Sequence, residues 1–164
     1  VEVRKEQAEA YSEIGGFFKQ FELSIVATDE RDALRVRTNV RGEDSYLYHI
    51  AMPPQAMRTL LVSYVQQANA LIEQPRFYNT ITANCTTIVF DMVRTIIGGL
   101  PADYRLLLTG YLPAYVMSVG GLQEGYSLDE LSQRGRFTDR AKAAGEIDDF
   151  SWLIRRGVPG VATH

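Results

Sequence analysis

The sequence predicts an α+β domain, a small antiparallel sheet packed on helices, and three observations carry that expectation. Residues 1–5, 21–28, 33–40 and 45–52 alternate or cluster apolar side chains as half-buried strands do. Residues 57–72 instead place Met57, Leu60, Leu61, Tyr64, Val65, Ala68, Leu71 and Ile72 at helical spacing. A second run with a helical apolar face opens at Cys85 and continues through Ile88, Val89, Met92, Val93, Ile96 and Ile97.

Taken in order, residues 1–5 form the first strand, and Gly15-Gly16 breaks any helix begun at Gln7. Residues 21–28 form the second strand. In residues 33–40, Leu34, Val36 and Thr38 oppose Arg35, Arg37 and Asn39; the polar turn 41–44 then leads into SYLYHIAM, so a hairpin is expected. Pro53-Pro54 ends that strand and suits a helix start, and Pro75 stops the helix that follows. After a polar and aromatic loop, 76–84, the helix begun at Cys85 ends at Gly98-Gly99. Residues 103–108 suit a helical turn, and 128–135, 139–144 and 150–156 suit short helices.

The 164 residues suit one domain, 1–164, with enough chain to bury a core. The start at Val1, already strand-like, points to an excised domain or a processed product. Seventeen basic residues lie scattered among twenty acidic ones, for a net charge of −3, so nothing favours nucleic acid. No apolar run approaches the roughly 18 residues of a membrane span. One cysteine cannot close an internal disulfide and leaves the compartment open.

Cys85, in YNTITANCTT, is the strongest chemical candidate, and it has two readings. Asn84 is a good N-cap, which puts Cys85 in the first helical turn. Unpaired N–H groups and the positive dipole end there favour a thiolate and can receive an oxyanion. The alternative is a small buried hydrophobe, as most lone cysteines are. Asn84, Thr86, Tyr78 and Asn79 are the residues positioned to shape such a site. A base is harder to find: His164 is terminal, and His49 lies on an expected strand where an exposed or satisfied role is the commoner one. One cysteine and two distant histidines lack the spacing of a metal site, and no cofactor is expected. Tyr111, Tyr115 and Tyr126 could line a groove or simply pack loops. Arg155-Arg156 reads as a solvated helix end or an anion site, and Asp148-Asp149 as a cap for the segment from Phe150.

Four stretches carry a family resemblance: VEVRKEQAEAYS (1–12), DERDALRVRTNVRGEDSYLY (29–48), YNTITANCTT (78–87) and FSWLIRRGVPG (150–160). In these the chain resembles the Lnb N-terminal periplasmic domain family. The resemblance implies a permuted papain-like, NlpC/P60-like thiol-enzyme fold and a periplasmic location, at or near the outer face of the inner membrane. It implies a lipoprotein N-acyltransferase type of activity, moving an acyl chain from a diacylglyceryl group to an amine, and acylated lipid or lipoprotein and a membrane surface as partners. Cys85 matches the family nucleophile. The family histidine is expected on a strand ahead of Val1, so this chain would hold the nucleophile without its base. A cysteine peptidase or amidase of NlpC/P60 type, or a non-catalytic envelope binding domain, are the alternatives.

Overall fold

The computed structural model describes residues 1–4, 21–79, 84–145 and 147–162. The expected end of the first strand at Lys5, the Gly15-Gly16 break, most of VEVRKEQAEAYS, Thr80 to Ala83 and His164 lie outside them. In chain order the elements are β1 (Glu2–Arg4), β2 (Glu22–Ser24), α1 (Glu30–Arg35) running into a π-helical turn (Val36–Val40), α2 (Pro54–Glu73) and α3 (Cys85–Ile97). Two 3₁₀ turns (Tyr104–Leu106 and Thr109–Tyr111) follow, then α4 (Leu112–Ser118), α5 (Leu128–Gly135), α6 (Thr138–Ala144) and α7 (Phe150–Arg155).

This is a mostly helical protein, which overturns the expected α+β fold and the permuted papain-like, NlpC/P60-like architecture with it. Among the described residues the sheet is one antiparallel pair, β1 on β2, with Val3 opposite Leu23. The predicted hairpin is absent for a definite reason. Residues four apart share a face in a strand and in a helix alike, so Leu34 and Thr38 fit both patterns. Asp29 decides for the helix: its carboxylate accepts from the Arg31 N–H at 2.8 Å, and Glu30 and Asp32 sit in the dipole-favoured first turn. Leu34 packs on a core and Thr38 is fully buried, its hydroxyl donating to the Leu34 carbonyl. Val36, which a strand would have buried beside them, is 38% exposed. Residues 45–52 stay extended but pair with helix ends and loop, the Leu47 N–H with Gly135 and the Ala51 N–H with Gly121.

The chain divides into two compact units. Unit 1 comprises Val1–Val26 and Met52–Tyr115. Its core joins Leu23 of β2 to Ile88 and Met92 of α3, flanked by Leu60, Tyr64 and Leu71 of α2. Pro54 opens α2 at a position that needs no N–H, and Gly98, at φ 72°, closes α3.

Unit 2 comprises Ala27–Ala51 and Val116–His164. Phe137, Ala141, Ala144, Phe150 and Ile154 form its core, with Leu34, Leu47 and Leu153 packed against it. Gly135 ends α5 where the backbone of Leu47 crosses, and a Cβ there would run into the Leu47 carbonyl oxygen. Ser127 and Glu130 cap the start of α5 reciprocally.

Asp44 ties the extended segment to α6. Its carboxylate accepts from the Thr138 hydroxyl at 2.6 Å, from Arg136 at 2.8 Å and from the Tyr46 hydroxyl at 2.9 Å. Those donors, Thr138 foremost, hold its pKa at about 2, below the ordinary 3.8. A depressed carboxylate stabilises the folded state above its unfolded pKa, and that contribution disappears as pH falls through the folded value. Asp44→Asn is therefore expected to lower the melting temperature at neutral pH. Its deficit should shrink to nothing as acid passes 3.8 and approaches about 2. Thermal melts of both proteins along that titration check it; a deficit of constant size would show that charge is not what Asp44 contributes.

Candidate functional site

Cys85 is held by its neighbours. β2 lies between β1 and the extended residues 76–78, with the Leu23 N–H donating to Arg76 O and the Tyr78 N–H to Phe21 O at 2.7 Å. Tyr78 then packs against the Leu23–Ile88–Met92 cluster, and Asn79 is half-buried. Asn84, only 5% exposed, takes the N-cap position with extended backbone (φ −108°, ψ 178°). Its Oδ1 accepts from the N–H groups of Thr86 and Thr87, both at 2.8 Å, and the Thr87 hydroxyl accepts from the Asn84 N–H at 2.9 Å. Thr87 is the residue that sequence reasoning missed. Its signal was its place three residues after the cap, where a capping box puts its second polar side chain.

This cap changes what the helix start can do. Asn84 occupies two of the N–H groups that a substrate oxygen might have used. Among the described residues nothing accepts from the N–H of Cys85 itself, so that group is the donor left at the helix start. By helical spacing Cys85 continues the buried Ile88–Met92 stripe, yet its thiol is free and exposed because the core stops one turn short of it. A buried packing role is thus not what the structure gives it. Thr86 is buried.

Asn84→Ala strips an acceptor from two first-turn N–H groups. The expected cost is about 1–2 kcal/mol of unit 1 stability, with most of it retained in Asn84→Asp, which keeps the accepting oxygen. Urea unfolding followed by circular dichroism measures the difference. An alanine variant within a few tenths of a kcal/mol of the parent would show that Thr86 and Thr87 find other partners.

The remaining candidates separate. His49 belongs to unit 2, exposed and packed against Gly160, whereas Cys85 belongs to unit 1. Tyr115 is buried in unit 1, edge-on to Phe90 and beneath the Arg105 guanidinium, and Tyr126 lies under Arg134 in unit 2. Burial raises the Tyr115 pKa. Arg155 is not a solvated helix end: it forms a two-pronged ion pair with Glu30, which holds the Glu30 carboxyl below its ordinary range. Asp148 pairs with Arg31 at 2.8 Å. Asp149 starts α7 with its backbone carbonyl, which accepts from Trp152 and Leu153, and its side chain makes no capping bond.

The family model described as the Lnb N-terminal periplasmic domain matches residues 1–110, which include β1, β2, α2 and the Asn84-capped α3. No curated protein and no solved structure matches the chain. With more than half of its length matched, the chain belongs to the Lnb N-terminal periplasmic domain family and is a domain of the periplasm.

Proposed function

We propose that this domain takes part in thiol-dependent acyl transfer on acylated lipid or lipoprotein, with Cys85 as the nucleophile. The observation that carries the reading is a free, exposed cysteine at the first position of a capped helix, inside the stretch matched by the family.

The chemistry follows from that placement. The Cys85 thiolate adds to an ester carbonyl carbon, and the developing oxyanion is received by the Cys85 N–H. Collapse breaks the C–O bond, the alcohol leaves with a proton, and the acyl group remains as a thioester on Sγ. An amine, or water for hydrolysis, then adds to the thioester carbonyl; the C–S bond breaks, the nucleophile's proton is lost, and the thiolate is regenerated. Asn84 acts as a positioning residue by fixing the first turn. For its base the reading relies on the histidine that the family resemblance implies.

The alternative is a peptidase or amidase of NlpC/P60 type, and acylated lipid against peptidoglycan fragments as substrate discriminates the two. A non-catalytic binding domain would go with a buried, slow thiol, and exposure of Cys85 favours chemistry over that reading. Intact-mass spectrometry of the full-length protein, incubated with a diacylglyceryl lipopeptide, tests the proposal. The expected result is one acyl adduct, mapped to Cys85 and discharged by an added amine. Absence of the adduct, with activity persisting in Cys85→Ala, overturns it.

A further inference from the structure

Helix α2 carries two apolar arcs, and the core of unit 1 uses one of them. Leu60, Tyr64 and Leu71 pack on the Leu23–Ile88–Met92 cluster, whereas Met57 (49% exposed), Leu61 (66%), Val65 (54%) and Ile72 (80%) stay uncovered. At about 100° per residue, those four and Ala68 fall within an arc of about 80°, so they form one seam along the helix beside the core-facing arc. The helix has two charged residues, Arg58 near its start and Glu73 at its end. By the same geometry both lie on one flank of the seam, the flank away from the core. Both are exposed, and among the described residues neither side chain has an ion-pair or hydrogen-bond partner.

We propose that this seam is the interface of an antiparallel dimer, α2 packed against α2 of a second copy of the chain. Self-complementary spacing is the first argument. About a two-fold axis between Val65 and Gln66, Ile72 of the second copy falls between Met57 and Leu61, and its Ala68 falls between Leu61 and Val65. The symmetry repeats this beyond the axis, so the two seams interdigitate in steps of about 3 Å. Charge is the second argument. The same axis sets Arg58 level with Glu73 of the second copy, twice over. Residues of one flank meet each other in an antiparallel two-fold pair, whereas a parallel pair would leave all four charges without partners. Area is the third. The seam and the stems of Arg58 and Glu73 present about 500 Å² per copy, so a pair buries about 1,000 Å², the least that a specific interface needs. A weak dimer, with a dissociation constant in the micromolar range, is therefore expected. A lipid surface would call for neither the register nor the charge pattern. The inference goes beyond the acyl-transfer reading and does not depend on the chemistry assigned to Cys85.

Analytical ultracentrifugation of the whole chain across the micromolar range tests it. A monomer–dimer equilibrium is expected, and Leu61→Ser with Ile72→Ser should raise its dissociation constant at least about tenfold. Arg58→Glu and Glu73→Arg should each weaken the dimer, and the two together should restore it to within about twofold of the parent. Folding does not confound that exchange, because it places the acid nearer the start of the helix and the base at its end, as the helix dipole favours. As a second readout, Val65→Cys in a Cys85→Ser background should close an intermolecular disulfide on oxidation. Gln66→Cys, turned away from the seam, should not. Leu107→Ser with Leu108→Ser changes exposed apolar residues off α2 and should leave the dissociation constant as it is. Four results overturn the proposal: a monomer at every concentration; a dimer that tolerates the Leu61/Ile72 pair or is lost through the Leu107/Leu108 pair; a charge exchange that fails to restore association; or a monomer that instead floats with phosphatidylcholine vesicles through Leu61 and Ile72.

Discussion

Cys85→Ser is expected to lower acyl transfer by at least about 10³-fold and to leave the protein without an acyl adduct. The size of the effect comes from the chemistry of the intermediate. Sulfur is the stronger nucleophile, and the oxygen ester that a serine would form passes its acyl group to an amine far less readily than a thioester does. The fold should not confound the measurement. Cys85 is exposed and outside the Leu23–Ile88–Met92 core, so the variant's stability is expected to stay within about 0.5 kcal/mol of the parent. Cys85→Ala should behave alike, and iodoacetamide should inactivate the parent at the rate at which it labels Cys85. Activity within tenfold of the parent in either variant would put the nucleophile elsewhere.

How much of this was legible in the sequence depended on whether the deciding contact was local. The start of α3 was readable because Asn84 acts on its own next three residues, and α2 because Pro54 and Pro75 punctuate a four-turn apolar period. Leu128–Gly135 came out with its exact bounds, helped by the Ser127–Glu130 box. Residues 33–40 were not readable by alternation, since Leu34 and Thr38 satisfy period two and period four together; the exposed Val36 tells them apart, and only in the structure. Residues 45–52 were misread because their partners, Gly121 and Gly135, are loop and helix-end backbone seventy or more residues away. Within the candidate site, the cap and the cysteine were legible. The exposure of a thiol that lies on the buried stripe by spacing was not, because it depends on where the core ends. The division into units was equally hidden, as residues 27–51 complete a core whose other half begins after residue 115.

That division gives the second large effect. Phe150→Ala is expected to cost unit 2 about 3–5 kcal/mol, the usual range for removing a fully buried aromatic side chain. Against a total of about 5–15 kcal/mol for an ordinary domain, that is enough to populate its unfolded form. Phe150 has no exposed surface and belongs to the cluster with Phe137, Ala141, Ala144 and Ile154. The surrounding polar contacts would not rescue it, because they depend on the same packing: Arg155 reaches Glu30 only while α7 lies against α1, and Arg140 reaches the Ile154 carbonyl only while α6 lies against α7. Hydrogen exchange by mass spectrometry distinguishes this from a general loss of stability. Protection should collapse in peptides from α1, α6 and α7, which share the damaged core. Leu34 and Leu47 pack on that same core, so residues 30–48 should open with it although they precede Phe150 by a hundred residues. Residues 150–160, which lie outside the stretch that the family model matches, are then explained by packing, with Phe150, Ile154, Val158 and Pro159 buried and Arg155 tied to Glu30. Unchanged protection at residues 30–48 would mean that these residues hold their fold without the α6–α7 core.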